Sequence, residues 1–179
     1  MKKNDLDIEE LFGEGLMAEL TEDIDEAIAQ YTIAADGGSL DAMSRLGYIY
    51  YSEKGYKNTA EAFKWYTRTF AEVSEIWEEN GDAEELEPFT DALVALGEMY
   101  EHGFGTGVDK KRAFEYAKRG VEVDKKDYGE YTLQGCAEIL AHLYHTGTGT
   151  EKNDTLALDL LRHCHQTTWV INFIKEITG

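Results

Sequence analysis

The chain has 179 residues, of which 36 are acidic and 17 are lysine or arginine, for a formal net charge of -19. That balance argues against a direct nucleic-acid ligand, since phosphate binding draws on clustered Lys and Arg, and the one local basic cluster, Lys110, Lys111 and Arg112, sits beside Asp109. Two cysteines are too few for a disulfide framework, no apolar run suits a membrane span, and Met1-Lys2-Lys3 leads straight into acidic sequence, so a cytoplasmic chain with no membrane contact is expected.

In chain order, a first helix is expected to hold Ile8 and Phe12, and a second to run from Ala27 to Ala35 before Gly37 and Gly38. A second pair carries Ala42, Leu46, Gly47 and Tyr50 on its first helix and Ala62, Trp65 and Tyr66 on its second, with Gly55 between them. Residues 72–87 then form an acidic insertion, predicted as a lengthened helix through Trp77 and a turn at Gly81, and Pro88 suits the first turn of a helix beginning near Phe89. The third pair contains Ala92, Leu96, Gly97 and Tyr100, then Gly103, Gly105, Asp109, Ala113 and Tyr116. A shorter extension, Val121 to Gly135, holds Tyr128 and Tyr131 and precedes the fourth pair, marked by Leu140, Ala141, Tyr144, Gly147, Gly149, Asp154 and Ala157. Trp169, Val170, Phe173, Ile174 and Ile177 recur at helical spacing, so a helix over 168–178 should cap the last pair.

Two ladders run together through these segments. The alanines Ala27, Ala62, Ala113 and Ala157 are 35, 51 and 44 residues apart, and the leucines Leu46, Leu96 and Leu140 are 50 and 44 apart. Repetition at this period marks a solenoid, because a helix pair cannot bury its apolar face alone and must stack on a neighbour. The glycines after Tyr100 and Tyr144 read as hinges that reverse the chain, since glycine takes positive φ without penalty and no strand precedes them as a phosphate loop would require. Gly97 is expected at a close approach of helices, where a large side chain would overpack. Cys136 and Cys164 fall on small positions of the ladder and read as packed thiols.

The pattern Ala-x-x-x-Leu-Gly-x-x-Tyr, two loop glycines, Asp-x-x-x-Ala and a following Trp-Tyr or Tyr resembles the Sel1-like repeat, a relative of the tetratricopeptide repeat. The third copy is the fullest match; the second has Glu53 at the first loop glycine, and the fourth has Ala141 for the glycine after leucine. The resemblance implies one all-α domain, a right-handed α-solenoid of about four Sel1-like helix pairs at 5–38, 39–71, 88–121 and 133–166, with a C-terminal capping helix. It implies a scaffold or adaptor and no chemistry.

In related solenoids, first-helix positions two before, two after and five after the repeat leucine line the concave groove. They give Ser44, Tyr48 and Tyr51, then Val94, Glu98 and Glu101, then Glu138, His142 and His145. The insertion adds Trp77, Glu78, Glu79, Glu84 and Glu85, an aromatic among charges, within a run of nine acidic residues from Glu72 to Asp91 that has no basic one. These residues form the candidate partner surface, and a basic protein is the expected partner because complementary charge accelerates encounter. An inhibitor that covers the basic cleft of a nucleic-acid-degrading toxin, such as an immunity protein, is a more specific alternative. An enzyme or metal-dependent module is an alternative of another class. His142 and His145 lie near one helical face with Glu138, and His163-Cys164-His165 follows, but the spacing lacks the His-Glu-x-x-His arrangement of helical zinc sites. No nucleophile and base are paired by spacing, so catalysis, metal and cofactor are not expected.

Overall fold

A computed structural model describes residues 8–80, 86–127 and 134–179. Among these, the regular structure is helical throughout: α1 (Ile8–Leu20), α2 (Ile24–Asp36), α3 (Leu40–Ser52), α4 (Thr59–Asn80), α5 (Leu86–His102), α6 (Lys110–Asp127), α7 (Gln134–Thr146), α8 (Asp154–Arg162) and α9 (Thr168–Thr178). None of them is long and apolar enough to cross a membrane. Contacts divide the chain into two compact units, Met1–Ala92 and Leu93–Gly179, and α5 contributes to both.

A shared cap starts the second helix of every pair. Asp23, Asn58, Asp109 and Asn153 each accept a bond from the backbone N–H three residues on, at 3.0 to 3.3 Å. Each also supplies the first carbonyl of its helix, taken by the N–H of Ala27, Ala62, Ala113 or Ala157. The alanine ladder is therefore fixed one turn into each helix, and all four alanines are wholly buried. In the fourth pair this corrects the sequence reading, which aligned Asp154 with Asp109: the cap is Asn153, and Asp154 bonds the His145 ring at 2.7 Å.

The cap also closes the loop before it. The N–H of Asn58, Asp109 and Asn153 donates to the carbonyl of Tyr50, Tyr100 and Tyr144 at 2.7, 2.9 and 2.8 Å. Gly103 and Gly105, like Gly147 and Gly149, take φ between +67° and +77° inside those closed loops, where an L side chain is strained.

In the first unit, Tyr31 and Tyr66 fill the space over glycine. A Cβ on Gly15 would lie 2.4 Å from the Tyr31 ring, and one on Gly47 2.8 Å from the Tyr66 ring. Gly15 of α1 is thus the first-copy counterpart of Gly47, and α1 buries Leu11, Gly15 and Ala18, leaving Ile8 exposed and Phe12 half-buried. Helix α4 runs through Trp77 as predicted, and α5 starts three residues before Phe89, with Pro88 in its first turn.

In the second unit, α6 packs on α7 and α7 on α8, and α9 lies against α8 and buries Val170 and Phe173. A Cβ on Gly97 would meet Ala113 O and Ala117 N at 3.8 Å, so α5 and α6 pass closely but leave room for a methyl group. Both cysteines are buried, and they do not form a disulfide.

Candidate functional site

Helices α5, α7 and α9 of the second unit surround a cavity of about 400 Å³. Val94, Glu98, Glu101 and His102 reach it from α5 because they lie at helical spacing on one face. Helix α7 supplies Gly135, Glu138, Ile139 and His142, and α9 supplies Trp169. Gly135 has no side chain because a Cβ there would lie 2.8 Å from Val94 Cγ1, so α7 can come down against α5 at the cavity wall.

Glu101 is the one carboxylate buried among the described residues, at 5% exposure. Its oxygens lie 3.4 Å from His142 Nε2, 3.9 Å from His102 Nε2 and 4.0 Å from Lys110 Nζ. Those are long contacts for a buried charge, since charge-assisted N–H···O bonds run near 2.7 to 2.9 Å. Glu98 and Glu138 are half-buried on the same cavity. Burial, and to a lesser degree the negative charge of Glu138, pushes the Cys164 thiol up to about 11.

Rings hold one side of the site. Trp169 packs on Phe173 with centroids 5.0 Å apart, and Phe173 in turn meets the His142 ring at 5.8 Å and the His145 ring edge-on at 5.4 Å. The two histidines then part: His142 turns to Glu101, and His145 is held by Asp154. Among the described residues, no group of three or more His, Cys, Asp or Glu could hold a metal ion.

The sequence-derived positions do not fall in a single place. Val94, Glu98, Glu101, Glu138 and His142 come together on this cavity, and His145 lies outside it. Ser44 borders a second cavity of about 350 Å³ in the first unit, with Asp41, Arg45, Glu87 and Asp91. Tyr48 is half exposed on α3, and Tyr51 is half-buried beneath Lys57, whose Nζ is 5.8 Å from the ring centroid. Trp77, Glu78 and Glu79 belong to α4, but their side chains, like Glu84, Glu85, Tyr128 and Tyr131 altogether, lie outside the described residues. His102 and Trp169 also line the cavity, at positions that the repeat leucine does not index. His102 follows Glu101 at the end of α5 and is marked by that neighbour, whereas in the sequence Trp169 belongs only to the capping stripe.

In the first-unit cavity, Ser44 Oγ donates to Asp91 at 3.1 Å. Crowding by the surrounding atoms pushes the Asp91 carboxyl up despite that bond, and the nearby Glu87 and Asp41 charges add to the effect. Asp41 is pushed up in the same way, by desolvation first and then by Glu87.

The sequence matches the Sel1 repeat family over residues 10–39, 40–69, 90–122 and 136–162. No curated protein matches it. Among solved structures it is similar to a Sel1 repeat protein from Oxalobacter formigenes, with 24% identity and a TM-score of 0.68 over 88% of this chain and 57% of that one. It is also similar to a protective antigen present in uropathogenic Escherichia coli strains that displays an SLR fold, with 20% identity and a TM-score of 0.41 over 87% of this chain and 37% of that one. The chain thus spans little more than half of the first relative. Proteins built from Sel1 repeats generally mediate protein–protein interaction, and the repeat is typically a scaffold without enzymatic activity. With four matched repeats that take up most of its length and an all-α solenoid fold, this chain belongs to the Sel1 repeat family.

Proposed function

We propose that this chain is a non-catalytic binding module that captures a basic protein partner. The observation that carries the reading is the acidic cavity of the second unit, where Glu98 and Glu138 flank the buried Glu101. A formal charge of -19 extends the same attraction to long range and steers a cationic surface toward the site. The acidic stretch that includes Glu78, Glu79, Glu84 and Glu85 adds to this field, and Tyr48 offers large contact area at small entropic loss.

Affinity capture with the whole chain as bait, followed by identification and surface plasmon resonance over a salt series, tests this. The expected partner is basic, and its association slows as salt rises. Reversing Glu78, Glu79, Glu84 and Glu85 to lysine slows it further, whereas Tyr48→Ala and Tyr51→Ala shorten the lifetime of the complex. Salt-insensitive association that neither set of changes affects would remove this reading.

A further inference from the structure

We infer that the second-unit cavity is a receptor for an arginine side chain, presented by the basic partner proposed above. The inference rests on that reading for its source of ligand and on separate features for its chemistry. Glu101 is 95% removed from solvent by its 5% exposure, yet its nearest cationic nitrogens stand at 3.4, 3.9 and 4.0 Å. A buried carboxylate is costly unless closely paired and hydrogen-bonded, so this group is suited to take a donor at shorter range.

The shape of the charge selects the donor. The acids of the cavity do not converge as a metal site would, which favours an extended cation over an ion bound at a point. A guanidinium carries five N–H donors in one plane and can address Glu101 together with Glu98. Its plane also stacks on aromatic faces, and Trp169, 46% exposed, lines the same cavity. Val94 and Ile139 supply apolar wall for the aliphatic stem. A volume of about 400 Å³ is at the small end for ligand sites and suits one side chain better than a large cofactor. Lysine shares the charge and the stem but lacks the plane, and it should bind more weakly.

The test needs no natural partner. The full chain, with its indole N–H signals assigned by Trp169→Phe, is titrated by NMR with acetyl-Gly-Arg-Gly-amide and with the lysine, citrulline and norleucine versions of the same peptide. The arginine peptide should shift the Trp169 signal saturably, lysine less, and the two neutral peptides not at all. Removing one charge-assisted bond in Glu101→Gln should weaken the arginine peptide by about tenfold or more. Glu98→Gln, at a half-buried position, provides a second reading if Glu101→Gln does not fold. Equal response to arginine and citrulline, or arginine binding unchanged in the glutamine variant that folds, overturns the inference. A basic partner that binds while the arginine peptide does not would defeat this inference alone; arginine binding in a chain that captures no basic partner would instead defeat the proposed function.

Discussion

Gly97 and Gly120 sit in helix interiors of the second unit, and replacing each with alanine should move stability in opposite directions. Alanine exceeds glycine in helix propensity by about 1 kcal/mol, and both variants gain that much. At Gly97 the new methyl group finds Ile139 Cδ1 at 3.7 Å and the α6 backbone at 3.8 Å, ordinary contacts that leave the gain intact. At Gly120 it would stand 2.2 Å from Cys136 Sγ and 2.9 Å from Cys136 Cβ. The sulfur could turn away, but the Cβ moves only with α7, and Cys136 is fully buried. Overpacking of this kind costs about 1 to 3 kcal/mol, so Gly120→Ala should lie below Gly97→Ala by a similar margin. For a chain of this length that is about 2 to 4 °C per kcal/mol in melting temperature. Urea denaturation followed by far-ultraviolet circular dichroism measures both variants. Adding Cys136→Ala removes the nearer clash, so Gly120→Ala should cost less in that background. Gly97→Leu, which drives a larger group at the α6 backbone, should lose what Gly97→Ala gains. A midpoint for Gly120→Ala equal to or above that of Gly97→Ala would refute the packing argument.

Asn153→Ala removes the cap of α8 and should cost about 1 kcal/mol, while Asp154→Ala, which leaves the cap in place, should cost less; thermal melts of the two variants decide which residue starts the helix. Asp91 is pushed up in the folded state, so its charged form opposes folding, and this penalty grows as pH rises from the ordinary carboxylate range through the folded value. Asp91→Asn should therefore melt above the parent chain at neutral pH and converge with it in acid, and a gap that widens on acidification would contradict the assignment.

The helix pairs were legible because the ladder residues do the burying. Leu46, Leu96, Ala27, Ala62, Ala113 and Ala157 are all at 0% exposure, and Leu140 is at 3%. The first copy was harder to see: its turn is short, with Asp23 N–H bonded to Ala18 O, and it has no loop glycines to announce it. The sequence therefore does not mark Gly15 as the glycine beneath Tyr31. Counting from the repeat leucine reached the cavity residues of α5 and α7, because both helices carry the same register. It could not reach Trp169, which belongs to a helix outside the repeat, placed by Val170 and Phe173 rather than by the period. Nor could it separate Tyr48 from Ser44: the same face of α3 passes from a cavity wall to open surface within one turn.

The bond between each cap N–H and the preceding tyrosine carbonyl spans eight residues in the second pair and nine in the third and fourth. Short spans of this kind lose little chain entropy on closing, so each hairpin of helices can begin to form from its own sequence without distant segments being in place. Nucleation can start at any of several points along such a chain and spread to neighbours. The signature tyrosines thus serve the order of assembly through their backbone oxygens, and their side chains remain free to diverge, as Tyr100 has done by taking a bond from Arg112 at 2.9 Å while the Tyr144 ring meets Phe114 edge-on.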